Sequence, residues 1–175
     1  ASGRETVSRV IAGYFAQLIT PNINFKAIIS RMGSFCVSNP KDFLETASKF
    51  GYAKASEDIE IEKYLLGLKE NGDSIGGSVV LNISGCPKGL GEPVFDKLKA
   101  ELSRAMLSIG SCMGIQFGLG EKFAYLSGKE ISLDSSNFAG IEGGISNGED
   151  IYCEIFFKAP STVGEKAKLG RHDPC

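Results

Sequence analysis

One segment, residues 75–117, limits the folds open to this chain more than any other. Apolar and polar residues alternate over residues 75–84, which predicts a half-buried strand. Apolar residues then recur at helical spacing over residues 94–109, and residues 113–117 alternate again. A strand, a helix and a second strand in succession predict an α/β (layered α+β) fold. We expect a single domain over residues 1–175.

The amino-terminal half supplies further elements. Helical spacing predicts an amphipathic helix over residues 5–19 and another over residues 57–70. Residues 25–31 favour a strand. Asn39 followed by Pro40 is typical of a helix start and predicts a short helix ending near Phe50.

Composition and charge exclude several functional classes. The chain is 42% hydrophobic and 23% charged, which is ordinary for a soluble globular protein. Its net charge of -2 gives no overall attraction to nucleic acid or an anionic membrane. Five scattered cysteines and one histidine, without a Cys-x-x-Cys pair, argue against a zinc site. They are typical of reduced thiols, so we expect a cytoplasmic protein without a metal.

Two segments around a predicted strand over residues 151–157 suit an anionic ligand. Residues 140–148, in the loop-rich stretch 118–150, contain four glycines that can bring the main chain close to a flat ring or a phosphate. Residues 158–162 place a lysine and two hydroxyls directly after the strand. Each segment also has a plain structural interpretation, as a turn or as an exposed exit loop.

Charged residues near both ends of the chain are candidates for anion binding and proton transfer. Arg4 precedes a helix and can bind a phosphate or carboxylate through paired hydrogen bonds, or it is simply solvated. Asp173 precedes Pro174, which restricts its backbone and therefore the direction of its carboxylate. Its neighbours Arg171 and His172 favour the ionised form, which can accept a proton. The alternative is a surface ion pair.

Several ordered blocks together resemble chorismate synthase. They lie at residues 1–6, 73–77, 88–98, 143–150, 158–162 and 170–175. Any one of these blocks is a weak signal, but their order along the whole chain is specific. The resemblance is therefore much stronger than its separate parts.

The resemblance implies a fold, a reaction and a cofactor. Chorismate synthases convert 5-enolpyruvylshikimate 3-phosphate to chorismate and phosphate in the shikimate pathway. The reaction is a 1,4-anti elimination that needs reduced flavin mononucleotide (FMN) without net oxidation. The family fold is a β-α-β sandwich assembled as a homotetramer. No nucleic acid or membrane is expected as a partner.

The resemblance also implies roles for individual residues. Asp173 is the expected catalytic residue, since it handles the substrate proton. Arg4 and Arg171 are expected to bind the substrate. The expected flavin contacts are Ala1, Ser2, Gly143, Lys158, Ala159, Pro160, Ser161, Thr162 and Arg171.

The chain also departs from the family pattern. Two histidines of the family's amino-terminal part, in Ser-His-Gly and Arg-Pro-Gly-His segments, are absent. The family's Asn-Asn-Ala-Gly-Gly is replaced at residues 136–140. We therefore expect the chain to correspond to the central part of the enzyme and to be inactive alone. The alternative function is a non-catalytic oligomeric domain that binds flavin.

Overall fold

The structure is a computed structural model that describes residues 3–38, 48–161 and 163–164, with side chains from residue 5 onward. Its strands are β1 (Asn24–Met32), β2 (Phe35–Cys36), β3 (Gly77–Ser84), β4 (Cys112–Phe117), β5 (Ile141–Glu142), β6 (Ile145–Ser146) and β7 (Ile151–Phe157). Its helices are α1 (Gly3–Ile19), α2 (Asp58–Glu70), α3 (Leu98–Leu107) and α4 (Gly128–Ser132). Short 3-10 turns lie at Ala55–Glu57, Gly120–Ala124 and Ser135–Phe138.

Five strands form one antiparallel sheet in the order β2-β1-β3-β7-β4, while β5 and β6 form a separate hairpin. β3 and β4 both pair with β7 in antiparallel register. They are therefore parallel to each other, and α3 connects them across the inserted strand β7. The predicted strand–helix–strand unit and the mixed fold class are confirmed.

α3 packs on one face of the sheet. Ile83 and Ile151 are buried opposite each other in neighbouring strands. Leu98 and Leu102 of α3 pack against this pair, together with Ile141 of the small hairpin. The alternation that predicted β3 thus marks the residues that meet α3.

α2 packs on the opposite face. Val80 is three residues from Ile83 along β3, so its side chain points to the other side of the sheet. Val80, Ile28 and Ile61 of α2 belong to one buried cluster, in which Ile61 is completely shielded from solvent. The sheet is therefore the middle of three layers.

The structure confirms a helix within residues 5–19 and 57–70 and a strand within residues 25–31 and 151–157. The predicted helix at 39–50 falls largely on residues 39–47, which lie outside the described residues. The part that is described, residues 48–50, is not helical.

The predicted start of α3 at Val94 is wrong. Val94 and Phe95 are 70% and 87% exposed, so their apolar character does not mark a packed helical face. The helix begins at Leu98, whose backbone N–H donates to the Gly144 carbonyl at 2.7 Å. The loop-rich interpretation of residues 118–150 also needs correction, because this stretch contains α4 and the β5–β6 hairpin.

Candidate functional site

Hydrogen bonds with two other segments fix the position of the chain that follows β7. The Lys158 backbone N–H donates to the Ser111 carbonyl at 3.0 Å, which ties the end of β7 to the turn before β4. The Ser74 hydroxyl donates to the Pro160 carbonyl at 2.6 Å. The Lys158 side chain is exposed, and none of the described residues forms an ion pair with it. Its ammonium group is thus available to an anion.

Two glycines allow three backbone segments to meet at this edge. An ideal Cβ on Gly76 would lie 2.7 Å from the Phe157 carbonyl oxygen and 3.1 Å from the Ala159 nitrogen. A Cβ on Gly77 would collide with the Arg31 carbonyl oxygen. Close packing of main chain against main chain therefore requires glycine at both positions.

The first half of α1 approaches the same edge. The Arg9 guanidinium donates to both the hydroxyl and the carbonyl oxygen of Ser108, each at 3.0 Å. Ser108 caps α3, three residues before Ser111. Arg9 also donates to Glu5 at 2.7 Å, and this hydrogen bond lowers the pKa of the Glu5 carboxyl. α1 and the segment after β7 thus share the carboxyl end of α3.

A cavity of about 230 Å³ has Phe157, the residue before Lys158, in its lining. Its apolar floor includes Ile29, Val79 and Phe157, and the main chain of Gly76 forms part of its wall. We call the region made by this cavity, residues 72–77, residues 108–111 and residues 157–161 the β7-end site. Arg31 also lines this cavity, and an apolar floor with a cation in the same lining suits a ligand with a flat ring and an anionic group.

Comparison with known proteins decides the family. Residues 1–175 match the family model for chorismate synthase. The chain belongs to the chorismate synthase family. The resemblance inferred from the ordered sequence blocks is therefore confirmed.

Named relatives support this membership. Chorismate synthase of Flavobacterium psychrophilum is 36% identical over 200 residues, an alignment that takes in 100% of this chain and 56% of the relative. Chorismate synthase of Bdellovibrio bacteriovorus is 36% identical over 187 residues, which is 100% of this chain and 54% of the relative. The chain thus spans a little over half the length of these curated relatives.

A solved structure supports the fold. A crystal structure of chorismate synthase matches with a TM-score of 0.81 and 26% sequence identity. The match covers 90% of this chain and 56% of that chain. The layered fold described above is therefore one found in the chorismate synthase family.

Gly143 does not join the β7-end site within one copy of the chain. It lies in the β5–β6 turn with φ +59°, and no atom lies within 4 Å of an ideal Cβ. The next residue, Gly144, accepts the hydrogen bond from Leu98 at the start of α3. Lys158 lies near the other end of this helix. The 10 residues of α3 span about 15 Å, so the two expected flavin contacts are well separated.

Several site residues expected from the chorismate synthase resemblance lie outside the described part of the chain. Arg4 lies in α1 by its backbone alone, and its side chain is outside the described part of the chain. Five others lie wholly outside the described residues: Ala1, Ser2, Thr162, Arg171 and Asp173. Their roles stay predictions.

Sequence reasoning missed the residues that support the β7-end site. Arg9 stands four residues after Glu5, a spacing that indicates a helical ion pair but not the contact with Ser108. The block at 73–77 was matched to chorismate synthase without a structural role. Its glycine pair was the available signal, since paired glycines often mark close backbone approach.

Further properties of the described residues concern metals, membranes and cysteines. No group of three or more His, Cys, Asp or Glu among them is arranged to hold a metal ion. None of their helices has the length and apolar character needed to cross a membrane. The four described cysteines are free thiols, and burial raises the pKa of Cys153 to about 11.

Proposed function

We propose that the chain is part of a chorismate synthase, a carbon–oxygen lyase of the shikimate pathway and of aromatic amino acid biosynthesis. The reaction is the 1,4-anti elimination of phosphate from 5-enolpyruvylshikimate 3-phosphate to give chorismate. Family membership over residues 1–175 supports the activity. The observation that carries the site is that α1 and Lys158 meet at the carboxyl end of α3.

In the proposed site, different residues bind the cofactor phosphate and the anionic groups of the substrate. Lys158 and Ser161 hold the phosphate of the cofactor, and the apolar floor that includes Phe157 accepts its ring. Arg4 and Arg171 bind the substrate anions. Cations placed where negative charge develops typically lower a barrier by several kcal/mol, roughly 3 for each well-placed donor.

Proton transfer is proposed to depend on Asp173. Its carboxylate would take the proton lost from the substrate, held in the ionised form by Arg171. When bound, reduced FMN supplies the transient electron density that the elimination needs. The residues present fit that cofactor, since the β7-end site combines a cavity with an apolar floor and Arg31 in its lining with the exposed ammonium of Lys158.

We also propose a cytoplasmic homotetramer. Gly143 lies near the other end of α3 from Lys158, and we propose that it contacts the flavin bound by a second copy. α1 supports assembly too, because its apolar stripe is 53–68% exposed. The stripe consists of Val7, Val10, Ile11, Tyr14, Phe15 and Leu18.

The activity is tested by anaerobic release of phosphate from 5-enolpyruvylshikimate 3-phosphate, with the protein at the length of its relatives. Turnover is expected with chemically reduced FMN and not with oxidised FMN or without flavin. Equal turnover in the absence of flavin would refute the proposal.

Substitution of Lys158 tests the β7-end site directly. Lys158→Ala removes the ammonium, so we expect FMN to bind at least about tenfold more weakly. Lys129→Ala is the matched control, because Lys129 is an exposed lysine on α4, outside both segments expected to contact the flavin. Equal affinity of both variants would contradict the assignment.

Asp173→Asn separates the enzyme from the non-catalytic flavin-binding alternative. If Asp173 handles the proton, turnover should fall about a hundredfold or more while FMN affinity is retained. A binding domain without catalysis would show no turnover before or after the substitution.

A further inference from the structure

A second cleft, of about 390 Å³, lies on the sheet face that carries α2. Its sides are Val37–Ser38 and the turn from Gly118 to Lys122, and its floor is formed by Tyr152 and Glu154. This volume falls within the range of small-molecule sites. We call it the Glu154 cleft.

The floor of the Glu154 cleft carries a fixed carboxylate. Oε1 of Glu154 accepts hydrogen bonds from the Ser78 hydroxyl at 2.6 Å and the Ser30 hydroxyl at 2.9 Å. Oε2 accepts from the Gln116 amide at 2.9 Å. Ser30 and Ser78 are only 2% and 1% exposed, and their hydroxyl oxygens lie 2.8 Å apart, so the two hydroxyls and Oε1 form one compact hydrogen-bonded group. The carboxylate is therefore oriented by the sheet itself.

This carboxylate can still accept from a ligand. A carboxylate has about four acceptor sites, and the three protein donors occupy at most three of them. All three donors are neutral, and no described residue forms an ion pair with Glu154. A partly buried negative charge gains most from a cationic partner. The cleft floor thus favours an ammonium group.

The rim has the opposite charge. Arg31 and Lys122 both line the cleft and are exposed, and neither forms an ion pair with a described residue. Val37 and Leu119 add apolar surface to the same walls. An anionic group suits this rim, with room for an apolar side chain beside it.

We propose that the Glu154 cleft binds a small zwitterion, a free α-amino acid. Its ammonium group donates to Glu154, and its carboxylate accepts from Arg31 and Lys122. The charge pattern selects a molecule with both groups. Arg31 lines both this cleft and the cavity of the β7-end site, whereas Glu154 and Lys122 line this cleft and not that cavity.

Cys36 provides a direct assay of occupancy. Its thiol is exposed and lines the cleft, whereas Cys112 is half-buried on β4 and does not line it. Each common amino acid is added alone, and alkylation by iodoacetamide is followed by peptide mass spectrometry. At about ten times the dissociation constant, the binding amino acid should slow alkylation of Cys36 roughly tenfold. Cys112 should react at an unchanged rate.

Derivatives of the protecting amino acid then test the charge pattern. The N-acetyl form lacks the ammonium and the amide form lacks the carboxylate, so both are expected to lose protection. Protection by either derivative equal to that of the parent would overturn the proposal. Failure of every common amino acid to protect Cys36 would overturn it as well.

A substitution tests the floor residue. Glu154→Gln keeps the shape but removes the charge, so binding should weaken at least about tenfold. Glu142→Gln is the control, since Glu142 is exposed on β5 and does not line the cleft. Unchanged binding by Glu154→Gln refutes the proposal. If that variant does not fold, the derivatives on the unaltered protein decide.

Discussion

Replacing Gly76 by alanine tests whether main-chain packing builds the β7-end site. The backbone of Gly76 is not in the left-handed region, so the added methyl group acts through sterics alone. It would lie 2.7 Å from the Phe157 carbonyl oxygen and 3.1 Å from the Ala159 nitrogen. Both are main-chain atoms, which cannot rotate away as a flexible side chain can. Either the 73–77 loop or the end of β7 must move.

The size of the effect follows from the cost of overpacking. Forcing an extra methyl group into a filled space typically costs about 1–3 kcal/mol, and we expect Gly76→Ala to lower the free energy of unfolding by that amount. Displacement of Ala159 would also move Lys158, so affinity for FMN should fall in the same variant.

Gly67→Ala is the matched control. Gly67 lies inside α2, and apart from its chain neighbours and the backbone of its own helix no atom lies within 4 Å of its ideal Cβ. Alanine in a helix interior is favoured over glycine by roughly 0.5–1 kcal/mol, so this variant should be more stable than the unaltered protein. The same chemical change is thus expected to have opposite signs at the two positions.

Urea-induced unfolding followed by circular dichroism measures both variants. The reasoning is wrong if Gly76→Ala unfolds at the same or a higher urea concentration than the unaltered protein. It is also wrong if Gly67→Ala loses as much stability as Gly76→Ala, because the loss would then not come from the contact with β7.

Three other predictions concern the core, alkaline pH and α1. Ile61→Ala removes a completely buried side chain and should cost about 2–5 kcal/mol, measured by urea unfolding, whereas a loss below 1 kcal/mol would contradict its central place. Burial raises the pKa of Cys153 from 9.0 to about 11, so the folded state holds a proton that the unfolded state releases. The contribution of the Cys153 thiol to the free energy of unfolding should be fully present below pH 9.0 and fall by roughly 2–3 kcal/mol towards pH 11. Cys153→Ala should flatten this decline. Arg9→Ala breaks the contact with Ser108, so amide hydrogen exchange should accelerate in the first turns of α1; unchanged exchange would show that this contact does not hold the helix.

Sequence patterns predicted the elements whose side chains are buried in the core. β7 was predicted from its aromatic and β-branched residues. In the structure its buried residues Ile151, Cys153 and Ile155 alternate with less buried ones, which is the period of a strand. The β5–β6 hairpin was missed since two-residue strands are too short to show any period. The start of α3 was misplaced for a related reason. Phe95 has the right spacing but no packing partner, and a long-range bond to Gly144 sets the true start.

The candidate site was predictable only in part. Lys158 was found because a lysine at the end of a strand is visible in the sequence. Its support by Ser74 and Ser111 was not, since these bonds join segments distant along the chain. Glu154 gave a readable signal, an acidic residue inside an apolar strand. Its partners Ser30 and Ser78 depend on strand pairing that no local pattern encodes.

The position of β7 has a consequence for how the protein matures. This strand is the last to be synthesised among the described strands, yet it occupies an inner place in the sheet. Until the ribosome has delivered it, β3 and β4 each present an open backbone edge that can recruit a neighbouring nascent chain. Insertion of one late strand covers the open edge of β3 and one edge of β4 and brings Lys158 to its place, so the binding site forms in the same step that reduces the exposed backbone.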